Sequence, residues 1–436
     1  MIDLFNKFPA SSKTEWLTLV ESELKGKSVE DVLHKTHPIE EVKYSSYGFK
    51  EDIIHTSSQP GEGDFSRGGK TQDNDWVNTV LIPLDTVKNM NSYALNVLMN
   101  GATGLKINLH NFSIKEIEEL TKDIGFEHIS STFYYSQKHQ WEWLNQLTKN
   151  KPLNITTVNT GQEEFTLIEN ARNKVIKAID VQYAGGNVVQ EVAYALHLAH
   201  ESLFDLMKSG LSIDEATQQI KFQFGIGSNY FFELTKFKVF RALYHVIVNE
   251  YKPKNTKSTL PYIEAETGFL NKSLKDPHNN LLRQTTEALS AVLGGVDELT
   301  VRAYNDWSND SPEEKEKAQR LGLNIALLLK EEAYADKVID PAGGAYILEN
   351  LYDELYSKTW EYFLTIEKKG LSFLKDDIQR VSNKRIQLIE SKSSTLIGVN
   401  KYFNEEERKA SWVLDITTPF GQPVILEKDC KIKEQL

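Results

Sequence analysis

The chain has 436 residues, of which 40% are hydrophobic and 26% charged, and its formal net charge is −12. This length allows one large domain with extensions or two to three small domains. The acidic balance, without a block of lysines and arginines, argues against nucleic acid or an anionic membrane surface as the main partner, because both select clustered positive charge. The single cysteine, Cys430, excludes an intrachain disulfide and a cysteine metal site.

The start of the chain and its apolar segments bear on localisation. Residues 1–7 lack the basic start and apolar core of a secretory signal, and no stretch approaches 18 uninterrupted apolar residues. A lone cysteine fits a reducing compartment. We therefore expect a cytoplasmic protein without a membrane partner.

The first 75 residues predict an amphipathic helix followed by irregular chain. Residues 12–15 have the spacing of a capping box, and an apolar face continues until Gly26. The members of this face are Trp16, Leu19, Val20 and Leu24. A second short helix is predicted from residue 28 to about residue 35. Residues 57–75 are turn-rich and polar with little to bury, which indicates a loop or linker and a candidate domain boundary.

After residue 75, eight apolar and β-branched runs recur at intervals of about one βα unit. The predicted strands cover residues 80–84, 105–109, 129–135, 153–158, 175–181, 220–224, 259–263 and 299–303. Most are separated by helical patterns, at residues 114–124, 188–210, 229–251 and 279–293. Eight such units favour an α/β fold of the (β/α)8 TIM barrel type over an open doubly wound sheet.

Three further helical patterns follow the eighth strand and are predicted to wrap or cap the barrel. They cover residues 312–334, 344–369 and 375–391. The predicted organisation is an N-terminal helical extension and linker over residues 1–75, the barrel over residues 76–310, and C-terminal helices with a tail over residues 311–436.

Three short motifs carry weak signals. Residues 68–71, Gly-Gly-Lys-Thr, are similar to the end of a phosphate-binding loop, but Asp64 stands where the first glycine is required. Residues 225–229, Gly-Ile-Gly-Ser-Asn, either bind an anion through backbone N–H groups or form a tight turn between a strand and a helix. His197 and His200 lie one helical turn apart, but a metal site needs a third converging ligand, so we expect none.

Asp180 stands at the end of the apolar run that begins at Lys174, and a long helix is predicted to begin near Val188. A barrel enzyme places its reacting side chains at this end of its strands. The chemical identity of residue 180 therefore bears directly on whether this barrel is catalytic.

Several longer segments resemble the methylmalonyl-CoA mutase family, in the order in which that family has them. They cover residues 188–196, 209–215, 222–241, 276–295 and 340–346. Residues 15–26 also resemble the start of that family's small subunit. The similarity extends through nearly the whole chain.

This resemblance implies a barrel that carries acyl-CoA through its centre and a C-terminal flavodoxin-like domain that holds adenosylcobalamin. The second domain has an Asp-x-His-x-x-Gly motif whose histidine ligates cobalt, and none of the ten histidines here lies in such a motif. The chain ends about where that domain would begin. We therefore expect a partner to supply adenosylcobalamin, since the radical chemistry depends on that cofactor.

The resemblance also assigns positions to individual residues. Asp180 takes the place of a histidine that polarises the substrate thioester carbonyl; an ionised carboxylate cannot donate a hydrogen bond, and the sequence gives no reason to expect a raised pKa. Lys238 replaces an arginine that meets the CoA part, keeping the charge but not the bidentate fork, and Arg241 is retained. These two are the predicted substrate-binding residues. Asp306 replaces a glutamate that approaches the cobalamin face.

Two further family features are missing from this sequence. A polar His-Cys-Gln run near the seventh strand aligns with Ile263, Glu264 and Ala265, so both flanking polar groups are lost. The Thr-Tyr-Ile-Tyr-Pro run that holds the substrate carboxylate has no counterpart between Ile155 and Arg172. We expect no catalytic residue in this chain.

These losses imply a small, non-catalytic subunit of a heterodimeric methylmalonyl-CoA mutase, in which the large subunit interconverts methylmalonyl-CoA and succinyl-CoA. The helical N-terminus is expected to wrap that partner. Two alternatives stay open: a stand-alone acyl-CoA-binding barrel, which Lys238 and Arg241 favour, and half of a related acyl-CoA mutase that works with a separate cobalamin-domain chain.

Overall fold

The computed structural model describes residues 12–54, 58–402, 411–414 and 416–430. The prediction that residues 1–7 do not form a secretory signal therefore concerns residues outside the described part of the chain.

The chain before the barrel forms the two predicted helices. It also forms a small antiparallel sheet, which was not predicted. These elements are α1 (Lys13–Glu23), α2 (Val29–Leu33), β1 (His34–Thr36) and β2 (Lys43–Ser45). The predicted capping box is present, because Ser12 N donates to Glu15 Oε2 at 2.8 Å and Glu15 N donates to Ser12 Oγ at 3.2 Å. Trp16 packs against Tyr47 and Phe49. No residue of α1 is buried, so this chain leaves its first helix without a core of its own.

Residues 58–75 form a loop, as predicted, but the expectation that this segment buries little is wrong. Phe65, Ser66 and Asn74 are buried. The Asn74 side-chain amide donates to the carbonyl oxygens of Val292 and Ala335, at 2.8 and 3.2 Å. Polar side chains hold this loop through hydrogen bonds to distant backbone, which a hydrophobicity pattern does not reveal.

Eight parallel strands form a nearly closed barrel, which confirms the predicted fold class. They are β3 (Val77–Leu81), β4 (Gly104–Asn108), β5 (Ser130–Tyr135), β6 (Asn154–Asn159), β7 (Lys174–Lys177), β8 (Ile220–Ile226), β9 (Tyr262–Thr267) and β10 (Glu298–Thr300). The order around the barrel is β6-β5-β4-β3-β10-β9-β8-β7. Between β6 and β7, the bridge from Thr156 to Arg172 joins the two ends.

Several predicted strand bounds differ from the observed ones. The first barrel strand, β3, begins and ends three residues before the predicted range of 80–84, and the eighth, β10, ends at Thr300 instead of residue 303. The fifth barrel strand, β7, ends at Lys177, and Asp180 lies in a short helix instead. The seventh, β9, begins at Tyr262, because residues Thr256–Thr259 form a 3-10 helix. In β9 the apolar Ile263 and Ala265 alternate with buried glutamates, and this polar set weakens the apolar signal that the prediction relied on.

Helices connect the strands and enclose the barrel. They are α3 (Val87–Met99), α4 (Ile114–Leu120), α5 (Lys138–Thr148), α6 (Ile179–Tyr183), α7 (Val188–Lys208), α8 (Ile213–Gln218), α9 (Tyr230–Glu250) and α10 (Asn279–Leu293). Outward-facing strand residues pack against them in two apolar clusters, which contain Ile107 and Phe133 on one side and Phe222 and Ile263 on the other. Since strand side chains alternate, the residues between these face the barrel axis.

The described residues of the C-terminal part form four more α-helices, and a short π-helix, Leu328–Glu332, continues the first of them. They are α11 (Pro312–Leu327), α12 (Tyr346–Lys369), α13 (Leu371–Glu390) and α14 (Leu426–Asp429). Helix α11 packs on α10 and β3, in the place of the eighth barrel helix. Helix α12 packs on α7 and α9, so α9 is covered on both sides and most of its residues are buried. Among the described helices, none combines the length and apolarity needed to cross a membrane.

Candidate functional site

Five charged side chains meet inside the barrel. They are Lys106 on β4, Lys221 on β8, Glu264 and Glu266 on β9, and Glu298 on β10, and each is at most 3% exposed. We call these five residues the barrel charge network. Buried charges are costly unless they are paired, so their pairing determines whether the barrel interior is a site or a core.

Each charge in the network contacts an opposite one. Lys106 Nζ contacts the Glu264 carboxylate directly and lies 2.6 Å from Glu266 Oε2. Lys221 Nζ lies 2.8 Å from Glu264 Oε2 and 2.8 Å from Glu298 Oε2. Glu264 therefore joins the two lysines, and the network runs as one connected set from β4 to β10.

Neutral side chains satisfy further oxygens of the network. Thr79 Oγ1 donates to Glu298 at 2.7 Å, Thr300 Oγ1 donates to Glu264 at 3.0 Å, and Gln223 Nε2 donates to Glu266 at 2.8 Å. All of these groups are buried. A fully paired polar network of this kind is consistent with a stable barrel core.

The pairing shifts the pKa values of Lys106 and Glu264 in favour of their charged forms. Burial works to lower the pKa of Lys106, but the attraction of Glu264 and Glu266 outweighs burial and raises that pKa well above its ordinary value. Burial works to raise the pKa of Glu264, yet Lys106 and Lys221 lower it to about 2. The charged forms are thus the stable ones.

The network crosses the barrel axis. Lys106 on the second barrel strand reaches the carboxylates of the seventh, and Lys221 Nζ on the sixth strand lies 3.3 Å from Thr132 Oγ1 on the third. Side chains from opposite walls therefore touch at the centre. An extended acyl chain cannot follow this axis unless these contacts separate.

The carboxyl-terminal mouth of the barrel is covered above the ends of β7, β9 and β10. Tyr183 stacks on Phe269 with a ring-centroid distance of 4.4 Å, and Phe269 contacts Trp307 edge-on at 5.4 Å. Buried Ile425 completes this cluster, and three partly buried residues pack against it: Trp412, Leu414 and Ile416. The chain's own C-terminal segment thus covers part of the face at which (β/α)8 enzymes place their active sites.

Asp180 lies at this mouth, in the first turn of α6. Burial raises the pKa of its carboxyl group to about 6, against the attraction of Lys177, which lowers it. This pKa shift could not be predicted from the sequence, because it depends on the packing around α6. At neutral pH the group is still mainly ionised and is a poor hydrogen-bond donor to a carbonyl oxygen.

Lys238 and Arg241 lie on α9, outside the barrel interior, and both are 3% exposed. Lys238 Nζ is 3.2 Å from Glu349 Oε1 and 3.5 Å from Asp340 Oδ2. Arg241 donates to the carbonyl oxygens of Ser66 and Gly294, at 3.2 and 2.7 Å for Nη2. Their contacts hold the 58–75 loop and α12 to α9, and their binding of a ligand stays a prediction.

Asp306 forms an ion pair with Arg302, four residues earlier. Arg302 Nη1 also lies 3.3 Å from Glu266 Oε1, so this pair extends the barrel charge network toward the mouth. Asp306 was predicted from the resemblance, whereas Arg302, Lys106, Lys221 and Glu298 were not predicted. For Lys106 and Lys221 the sequence contains a signal, which is a charged residue between apolar neighbours within a strand, as at residues 105–107.

The weak motifs have internal partners. The Gly225 N–H donates to Glu191 Oε1 at 2.7 Å, which favours the tight-turn interpretation. Lys70 Nζ donates to the Val296 carbonyl oxygen at 2.7 Å. His197 and His200 both contact the carboxylate of Glu367 on α12, through Nδ1 at 2.6 and 3.3 Å. Within the described residues no cluster of histidine, cysteine and acidic side chains has the geometry of a metal site.

Fold and interior together define a (β/α)8 barrel protein with a closed axis, and sequence comparison identifies its family. The sequence model of methylmalonyl-CoA mutase matches residues 164–420. This match covers more than half of the chain, which therefore belongs to the methylmalonyl-CoA mutase family.

Individual relatives differ in how much of their length this chain spans. It is 28% identical to the methylmalonyl-CoA mutase small subunit of Porphyromonas gingivalis, over 93% of this chain and 72% of that one. It is 32% identical to the mitochondrial methylmalonyl-CoA mutase of Bos taurus over 59% of this chain, and 31% identical to the methylmalonyl-CoA mutase of Rhizobium meliloti over 53%. The matched part is 35% and 33% of the length of those two enzymes.

Proposed function

We propose that this chain is the small, non-catalytic subunit of an adenosylcobalamin-dependent methylmalonyl-CoA mutase and acts in the cytoplasm. A large catalytic subunit would interconvert methylmalonyl-CoA and succinyl-CoA, and this barrel would support it. The observation that carries the proposal is the barrel charge network, which occupies the path that acyl-CoA takes in the family's active barrels.

The energetic argument concerns what a ligand would have to displace. Separating Lys221 from Glu264 and Glu298 would leave buried charges without partners, and breaking one such pair costs about 3–5 kcal/mol. The methylmalonyl group carries a negative carboxylate and no positive charge, so it cannot replace a lysine as the partner of Glu264 and Glu298. The interior is therefore better suited to holding the strands together than to binding substrate.

The residues present do not fit adenosylcobalamin at this barrel. Asp306, at the position facing the cofactor in the family, is engaged by Arg302. The mouth above it is covered by the cluster that includes Trp412, Leu414 and Ile425. We therefore assign the cofactor to the partner subunit, and no step of the reaction to residues of this chain.

Assembly with a partner tests the proposal. The mass of the chain alone, and after mixing with a large mutase subunit that carries a cobalamin domain from the same genome, is measured by light scattering after size-exclusion chromatography. We expect a stable one-to-one complex. A folded chain that fails to associate would contradict the supporting role.

Helix α1 is the predicted contact with that partner, because it buries none of its own residues and Leu19 is 60% exposed. We expect Leu19→Asp to raise the dissociation constant of the complex at least tenfold, about 1.4 kcal/mol, since a charge would replace a buried apolar contact. Titration calorimetry measures this change. Met99→Asp, at a site on α3 that is 86% exposed, is the matched control. Equal affinities for both variants would remove α1 from the interface.

A second candidate function, a stand-alone acyl-CoA-binding barrel, draws support from the amino-terminal face. Two adjoining cavities of about 510 and 690 Å3 share Asn154, Tyr262 and Asp297 in their walls. Arg172 stands over the Tyr262 ring at 3.8 Å. Saturable binding of methylmalonyl-CoA to the isolated chain, weakened by Arg172→Ala, would favour this candidate. The third possibility, half of a related mutase, would show as turnover of another acyl-CoA by the assembled complex.

A further inference from the structure

The covering of the carboxyl-terminal mouth is formed by one segment of the chain. Residues 411–414 and 416–430, here called the C-terminal strap, pass over the loops that follow β7, β9 and β10. Three strap amides donate to carbonyl oxygens of these loops: Val413 to Trp307 at 2.8 Å, Val424 to Tyr183 at 2.8 Å and Leu426 to Leu270 at 3.1 Å. The strap therefore connects three of the eight strand ends.

One carboxylate holds the strap in place. Glu427 accepts hydrogen bonds from Ser273 Oγ, from the Leu274 N–H at 2.9 Å and from the Lys275 N–H at 3.2 Å. It also accepts from Trp412 Nε1 at 3.0 Å, at the other end of the strap. Hydrogen bonds to a charged acceptor are stronger than neutral ones, so Glu427 fastens both ends of the strap to the loop after β9.

The surface beneath the strap is apolar, and one of its hydrogen-bond donors is unpaired. Tyr183, Phe269 and Trp307 are buried there, and the indole N–H of Trp307 has no hydrogen-bond partner. Five strap residues are buried, Phe420, Val424, Ile425, Leu426 and Cys430. The other described residues of the strap are exposed or half-buried, as at Ser411, Val413 and Lys428. Segments that are largely exposed open more readily than the core on which they lie.

We propose that the C-terminal strap is a detachable cover for the barrel mouth, locked by Glu427. It closes the mouth with the chain's own side chains and shields the Tyr183, Phe269 and Trp307 surface from solvent. Release of the Glu427 contacts opens the mouth while the strands stay folded. This property does not depend on the proposed role in a mutase.

Hydrogen exchange followed by mass spectrometry tests this cover in the full chain. We expect Glu427→Ala to speed exchange at the Val413, Val424 and Leu426 amides at least tenfold, while amides of β8 and β9 keep their wild-type rates. The dye ANS should then fluoresce with the variant and not with the wild type, because the apolar surface is exposed. Glu427→Gln retains an acceptor oxygen and should give a smaller change in the same direction.

Lys428→Ala, an exposed neighbour on the same short helix, is the control and should leave all rates unchanged. Faster exchange of strap and strands together in Glu427→Ala would overturn the proposal, because the strap would then open only with the whole barrel. Unchanged exchange at the strap amides would overturn it as well, because Glu427 would not be the lock.

Discussion

Replacing Lys221 with methionine is expected to lower the free energy of unfolding by about 3–5 kcal/mol, the largest effect of any single change considered. The substitution keeps the volume of the side chain but leaves Glu298 buried without its lysine, while Glu264 keeps Lys106. Urea denaturation followed by circular dichroism measures the change, with the midpoint shifting at constant slope.

Two controls separate lost pairing from general damage. Lys317→Ala removes an exposed pair with Glu313 and should change the free energy of unfolding little, because solvent screens exposed pairs. The double variant Lys221→Met with Glu298→Gln removes both charges and should recover part of the loss, because no unpaired carboxylate remains. A Lys221→Met variant as stable as the wild type would show that the network does not hold the barrel together.

Asp180→Asn is expected to stabilise the chain, with an effect that depends on pH. Burial raises the pKa of Asp180 to about 6 in the folded chain, above its ordinary value of 3.8. Between these two values the folded chain holds the proton and the unfolded chain has lost it, so stability falls as pH rises through this window. Above about pH 6 the charged, half-buried carboxylate lowers the free energy of unfolding by a constant amount.

An asparagine at position 180 has no ionised carboxylate and so removes this destabilising effect. We expect the free energy of unfolding of Asp180→Asn to exceed that of the wild type by about 1–3 kcal/mol at pH 8 and by less than about 0.5 kcal/mol at pH 4. Urea denaturation at both pH values provides the comparison. The exposed Asp123→Asn variant should show no such dependence. A difference that is the same at pH 4 and pH 8 would mean that proton binding by Asp180 is not its cause.

Local sequence signals predicted much of the helical layer. Helix α10 begins at Asn279 and ends at Leu293, as predicted, because its apolar periodicity is regular and Gly294 follows it. Helix α1 begins at its predicted capping box. Such signals act within a few residues, so a single sequence contains them in full.

The barrel interior could be predicted only in part. The sequence shows the charged residues of β4, β8 and β9 but gives no sign of their distant partners, which lie 77 positions away for Lys221 with Glu298 and 160 positions away for Lys106 with Glu266. Strand order, closure and tilt decide which inward side chains meet. The strand predicted over residues 259–263 is misplaced because the observed strand, β9, carries glutamates at inward positions, and these interrupt its apolar pattern.

The candidate site, like the barrel interior, could be predicted only in part. Asp180, Lys238, Arg241 and Asp306 were selected through resemblance, which locates them in the fold but not their partners. Arg241 binds backbone carbonyl oxygens of the 58–75 loop, and the pKa of Asp180 depends on burial at the mouth. Both facts require the packed chain, because they come from segments far apart in sequence.

We expect this barrel to bind neither substrate nor cofactor while its partner binds both. The stoichiometry of the complex with the large mutase subunit tests this expectation, with adenosylcobalamin counted by absorbance and methylmalonyl-CoA by equilibrium dialysis. We expect one cofactor and one substrate per pair of chains. Two substrates per pair, or saturable substrate binding that Lys221→Met abolishes, would contradict it.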